Sequence, residues 1–101
     1  MIGIDITRIS RFKEMTHLDR FLEKFRVDGD TAMAAAKTWA CLEAVYKAEA
    51  GSHLLNDVRI IFPKNQPPQV VEDRPVLRYQ YILSLTHEGD LVVAVALGQP
   101  K

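Results

Sequence analysis

The 101-residue chain has one cysteine, Cys41, so no disulfide can form within it. Cys41 lies in an apolar run and reads as a small core side chain, and such sparing use of cysteine fits a reducing compartment. Charge of either sign is not in excess. The 13 basic and 13 acidic residues cancel, which argues against nucleic acid as the partner. No apolar run approaches the ~20 residues that span a bilayer. Met1 leads straight into an alternating apolar segment without a basic leader, so a signal peptide is not expected. The expectation is a cytoplasmic protein with no membrane partner. Three of the five prolines fall in "PKNQPPQ" at 63–69, where lost donors and a fixed backbone exclude regular structure. A chain this short supports one domain, residues 1–101, whose folding buries roughly 60–70% of the unfolded surface. Association with further copies would add to so small a core.

What is present reads as alternating elements. "MIGIDIT" alternates Ile2, Ile4 and Ile6 with Gly3, Asp5 and Thr7, a strand over 2–7. Its isoleucines are expected to face the core, with Gly3, Asp5 and Thr7 on the other side. Ile9, Phe12, Met15, Leu18, Leu22 and Phe25 then recur at helical spacing. Thr16 followed by Asp19 resembles a capping box, which divides that stripe into two short helices. "VDGD" at 27–30 signals a turn. Asp30 or Thr31 can cap a long alanine-rich helix running to about Ala50 and stopping near Gly51. In the second half Val58, Ile60 and Phe62 alternate, and residues 69–72 and 76–83 read as a hairpin around "EDRP". "ILSLTH" and "LVVAVAL" flank "EGD" as two antiparallel strands. The last is apolar throughout, so both its faces are expected to be buried. Strand, helices and then strands predict an α+β fold, a small antiparallel sheet packed on a long helix.

Four residues carry candidate chemistry: Asp5, Glu43, Lys47 and His87. Aspartate is depleted in strands, so Asp5 needs a reason. Glu43 and Lys47 are one helical turn apart. A glutamate four residues before a lysine is also an ordinary surface ion pair, worth ~0.2–0.5 kcal/mol. His87 ends a strand beside a turn, where a histidine is often simply exposed. Residues 8–26 hold Arg8, Arg11, Lys13, Arg20, Lys24 and Arg26 against Glu14, Asp19 and Glu23. That excess suits an acidic partner, or is a solvated helix face.

Taken in order, the motifs resemble one family. "W-A-x-x-E-A-V-x-K-A" at 39–48 resembles the helix motif of the holo-acyl-carrier-protein synthases, the small phosphopantetheinyl transferases. "IGIDIT" resembles that family's N-terminal "G-I-G-x-D-I", and "LSLTHEGDLVVAVAL" its closing strand pair. "NDVRI" and "DRPVL" resemble the strand after the long helix and the "G-K/R-P" hairpin. The likeness covers nearly the whole chain.

The resemblance implies a phosphopantetheinyl transferase-like fold and a reaction. The 4′-phosphopantetheine arm of coenzyme A passes to a serine of an acyl carrier protein, releasing adenosine 3′,5′-bisphosphate, with Mg2+ as cofactor. It implies Asp5 and Glu43 as metal carboxylates, Glu43 also orienting or deprotonating the serine. It implies Lys47 at the phosphates, and Thr86, His87 and Lys37 near the coenzyme A phosphates. Arg8, Arg11 and Arg20 would dock the acidic carrier, and the family's assembly implies a homotrimer. The carrier can belong to fatty-acid, polyketide or other synthesis. Three departures stand out. Leu42 replaces a usual lysine, the stretch between Asp5 and Glu43 is short, and "AEAGSH" lacks the family's second glycine. They keep a second reading open, a non-catalytic relative that binds coenzyme A or a carrier.

Overall fold

The computed structural model describes all 101 residues. β1 (Ile2–Arg8) leads into two short helices, α1 (Ile9–Lys13) and α2 (Leu18–Lys24), and then the long α3 (Ala32–Ala48). A 3-10 turn (Leu55–Asp57) precedes β2 (Val58–Ile61), β3 (Gln69–Glu72), β4 (Tyr79–Glu88) and β5 (Leu91–Pro100). A three-stranded antiparallel sheet in the order β1-β5-β4 packs on α3, and β2 and β3 form a separate antiparallel pair. The α+β expectation holds, with the strands divided between two sheets. No helix is long and apolar enough to cross a membrane.

α3 forms where alanines are dense. Thr31 caps it, its hydroxyl accepting the Ala34 N–H at 3.0 Å, which satisfies one of the otherwise orphaned first-turn donors. At the other end Ala50 takes a left-handed conformation (φ 55). The Ala50 N–H bonds the Lys47 carbonyl and the Gly51 N–H the Tyr46 carbonyl, the paired closure of a Schellman motif. The small residues on α3 let the sheet approach closely. Ala40, Cys41, Ala44 and Val45 are buried with Val92, Ala94 and Ala96 of β5. Burial pushes the Cys41 thiol up to about 12, aided by the Asp5 charge, so it is an inert core side chain.

Four expectations need correction. The isoleucines of β1 do not face this core. Ile2, Ile4 and Ile6 are 64, 53 and 63% exposed, and Gly3 and Thr7 are the buried residues of the strand. Likewise β5 buries Val92, Ala94 and Ala96 against α3, while Val93, Val95 and Leu97 lie on the opposite, uncovered face. Residues 69–72 and 76–83 do not make a hairpin. β3 pairs with β2, and the Val76 and Leu77 N–H groups bond the Glu72 carboxylate rather than a strand. The N-cap of α2 is His17, which makes no side-chain cap, and Thr16 caps nothing.

The β4–β5 turn is tied to α1. Asp90 accepts both the Ser10 N–H at 2.8 Å and the Ser10 hydroxyl at 2.7 Å. The orientation of β1 rests on Gly3. A Cβ there would lie 1.8 Å from the Ala44 carbonyl oxygen and 2.8 Å from the Ala48 nitrogen, both backbone atoms that cannot swing away. Gly3→Ala is therefore expected to destabilise the fold by about 1–3 kcal/mol or more through forced separation of β1 from α3. Urea denaturation measures this, and a wild-type midpoint would refute the contact.

Candidate functional site

The alternation of β1 that turns isoleucines outward turns Asp5 toward α3. Lys47, in the last turn of α3, reaches across to it. Its ammonium lies 2.9 Å from Asp5 Oδ1 and 3.2 Å from the Ile4 carbonyl oxygen. The Thr7 hydroxyl donates to Asp5 Oδ2 at 2.7 Å. Both carboxylate oxygens are thus engaged, one by a cation that is half exposed. Glu43, one turn before Lys47 on α3, is half-buried and forms no hydrogen bond or ion pair within the chain. The arrangement is two carboxylates on adjoining elements with a lysine between strand and helix.

The fit of this set to a magnesium ion can be judged from its donors. The chain brings no three His, Cys, Asp or Glu side chains together, so it offers no complete protein cage. Magnesium rarely needs one, since it is usually held by one or two carboxylates with substrate phosphates and waters. Asp5 already binds a cation, Lys47, and Glu43 has no partner to lose. The donors fit an ion completed by substrate.

The remaining expected residues are spread more widely. In the sheet register Thr7, Val92 and His87 form one row, and Ile6, Val93 and Thr86 the next. Successive strand residues face opposite ways, so His87 shares the Asp5 face while Thr86 shares the isoleucine face. The two do not meet at one point on this chain. Lys37 lies six residues before Glu43, on a different helix face, and lines a small recess with Asp28, Thr31 and Phe62. Arg11 and Arg20 are exposed and have no carboxylate partner, whereas Arg8 lies 4.0 Å from Asp90. The largest concavity, about 600 Å3, is elsewhere, between β3 and β4, where Glu72 is occupied by Val76, Leu77 and Lys101.

No family model matches the chain. It is 31% identical to the holo-acyl-carrier-protein synthase of Mycoplasma mobile, over all of this chain and 91% of that one. It is 32% identical to the same enzyme of Aquifex aeolicus, over all of this chain and 99% of that one. The chain belongs to the holo-acyl-carrier-protein synthase family. In fold it is similar to the Helicobacter pylori holo-acyl-carrier-protein synthase, a structure in complex with coenzyme A. The TM-score is 0.83 over 98% of this chain and all of that one, at 23% identity.

Within a holo-acyl-carrier-protein synthase, Leu42 has a physical account. It is fully buried in the core cluster. A lysine at that position would need its ammonium led out of an apolar layer or paired within it.

One acid was missed by the sequence reading. Glu49, just beyond α3, is fully buried. It accepts hydrogen bonds from Ser52 Oγ, the Arg78 and Tyr79 N–H groups, Arg78 Nε and, at 2.6 Å, the Tyr81 hydroxyl. Burial alone would raise its pKa. The bonds from Tyr81, the Arg78 backbone, Ser52 and the Arg78 side chain outweigh that and hold the carboxyl below the usual range. The sequence signal was weak, because an acid at a helix end beside glycine reads as surface. Glu49 pins the end of α3 to the start of β4.

A depressed carboxyl contributes stability above its unfolded value of about 4.3 and loses it as pH falls through the folded value. Glu49→Gln should lower stability at neutral pH by about 2–3 kcal/mol and flatten the loss of stability below pH ~4. Denaturation at a series of pH values measures both. An unchanged acid limb would show that Glu49 is not the group responsible.

Proposed function

We propose that this single-domain chain transfers the 4′-phosphopantetheine arm of coenzyme A to a serine hydroxyl of an acyl carrier protein, with adenosine 3′,5′-bisphosphate as the other product. The observation that carries the reading is the Asp5–Lys47 contact with Glu43 one turn away, in a chain of this family. The serine oxygen attacks the phosphorus on the pantetheine side of the pyrophosphate, and the bond from that phosphorus to the bridging oxygen breaks. Charge on the phosphate oxygens must be held throughout. Lys47 supplies a mobile point charge for a pyrophosphate oxygen when it leaves Asp5. Asp5 and Glu43 would hold Mg2+, which supplies further neutralisation of phosphate charge when bound. Glu43, unpaired and half-buried, is the base in reach of solvent for the serine proton. His87 faces the same side as Asp5 and adds a donor for a phosphate.

The reading includes a homotrimer. The face of the sheet away from α3 carries three rows: Ile2, Leu97 and Ile82; Ile4, Val95 and Ser84; Ile6, Val93 and Thr86. Seven of these nine are apolar, a patch that monomers rarely leave open. Covered by another copy, it would place Thr86 at a subunit boundary. Lys37, in its separate recess, is the least supported contact. Arg8, Arg11 and Arg20 would steer the acidic carrier, and the cytoplasm is the expected compartment.

Incubation with coenzyme A, Mg2+ and a panel of apo carrier proteins should add a phosphopantetheine mass to at least one carrier. Asp5→Ala and Glu43→Ala should each lower kcat/KM at least 100-fold and remove the Mg2+ dependence. Full activity in both variants would overturn the site. Coenzyme A binding without transfer to any carrier would establish the non-catalytic alternative instead. For the assembly, Ile4→Asp should shift sedimentation from trimer to monomer; a monomeric wild type would end that part of the reading.

A further inference from the structure

The basic surface of α1 and α2 contains one arginine held in an unusual way. Arg26 lies 2.6 Å from Asp73, and Arg8 4.0 Å from Asp90. Arg11 has no such partner. Its guanidinium carbon sits 5.3 Å from the Trp39 ring centroid and 5.6 Å from that of Phe12. The rings are themselves clamped. Trp39 meets Phe21 at 5.8 Å and Phe25 at 5.5 Å, and Phe12 meets Phe21 at 5.0 Å. Helices α1, α2 and α3 thus build an aromatic platform, and an exposed guanidinium rests on it with its five N–H donors unclaimed by the chain.

We propose that Trp39 is a positioning residue for carrier recognition, holding Arg11 in place to receive an acidic group of the carrier protein. The inference rests on the function proposed above. A long arginine loses rotamer freedom when it docks a carboxylate, and one already stacked has less to lose. The ring face attracts the cation without neutralising it, so Arg11 stays available where an aspartate partner would have occupied it. A bland role for the stack is only to cover the indole from water, as long cationic stems often do. The two roles separate experimentally.

The chain has one tryptophan, so its fluorescence reports this stack alone. Adding an apo carrier protein that the wild type modifies should change Trp39 emission, and Arg11→Gln should remove that change. In transfer kinetics, Trp39→Leu should raise KM for the carrier about two- to fivefold, with kcat and KM for coenzyme A unchanged. Trp39→Phe should restore most of the loss. Arg11→Gln with Trp39→Leu should be no worse than Arg11→Gln alone. If Trp39→Leu does not fold, Arg11→Lys serves: it keeps the charge but loses the planar stack, and should also raise carrier KM. Additive effects, an unchanged carrier KM, or a loss confined to thermal stability would overturn the inference while leaving the transferase reading intact. A wild type that neither binds nor modifies any apo carrier would overturn both.

Discussion

The approach of β1 to α3 at Gly3 is the contact on which the rest depends. Only a residue without a Cβ can lie against the Ala44 carbonyl and the Ala48 nitrogen, and the alanines of α3 keep their own side short. With that contact made, a period of two in the strand fixes the side chains that follow. Asp5, two residues on, is directed at the helix, where Lys47 reaches it at 2.9 Å. Thr7, two further, buries its methyl side and spends its hydroxyl on Asp5. The same geometry directs Ile2, Ile4 and Ile6 away. One steric constraint therefore produces a polar site on one face and an apolar surface on the other.

Much of this was legible in the residues. The alanine-rich run and Thr31 marked α3, and the EGD turn marked the β4–β5 hairpin, whereas the approach of Asp5 to the Glu43–Lys47 helix came only as what the family resemblance implies, and there as a shared metal site with Glu43 rather than the Lys47 contact. The facing of β1 was not legible, because alternation identifies two faces without saying which is inside. The assumption that isoleucines face their own chain's core fails when an apolar face is left for something else. Likewise the pattern at 69–72 gave a strand but not its partner. Glu72 accepts the next available N–H groups, those of Val76 and Leu77, so the local turn closes on a side chain and β3 is left to pair with β2. The resemblance implies both Thr86 and His87 near the coenzyme A phosphates, while pleating puts these adjacent residues on opposite faces of the sheet.

Two acids near the end of α3 differ in what holds them. Glu49 is enclosed, and its donors include the Arg78 and Tyr79 backbone N–H groups and the Tyr81 hydroxyl of β4, which cannot leave without opening the fold. Asp5 has a lysine ammonium and a threonine hydroxyl, and the ammonium is half exposed. On the function proposed here, a carboxylate whose partner can leave for a phosphate is open to exchange, whereas one whose partners are the frame itself is not. In sequence, both are simply acids in an apolar context. The difference lies in what donates to them, and beyond the local hydroxyls of Ser52 and Thr7 those donors are 29 residues away or more for Glu49 and 42 away for Asp5.

The two faces of the sheet are also physically coupled. β5 is the central strand, with Val92, Ala94 and Ala96 against α3 and Val93, Val95 and Leu97 in the apolar patch. Any surface that covers the patch therefore presses on the strand that backs Asp5. A core of small residues gives this layer little depth of its own, so a chain of this size gains disproportionately from covering its other face. On the proposed assembly, Thr86 would enter a boundary between copies while His87 stays with Asp5 on the helix side. Both would then bear on one bound nucleotide only if that nucleotide straddles two chains. On that proposal, the opposite facing of Thr86 and His87 is compatible with a site shared between copies.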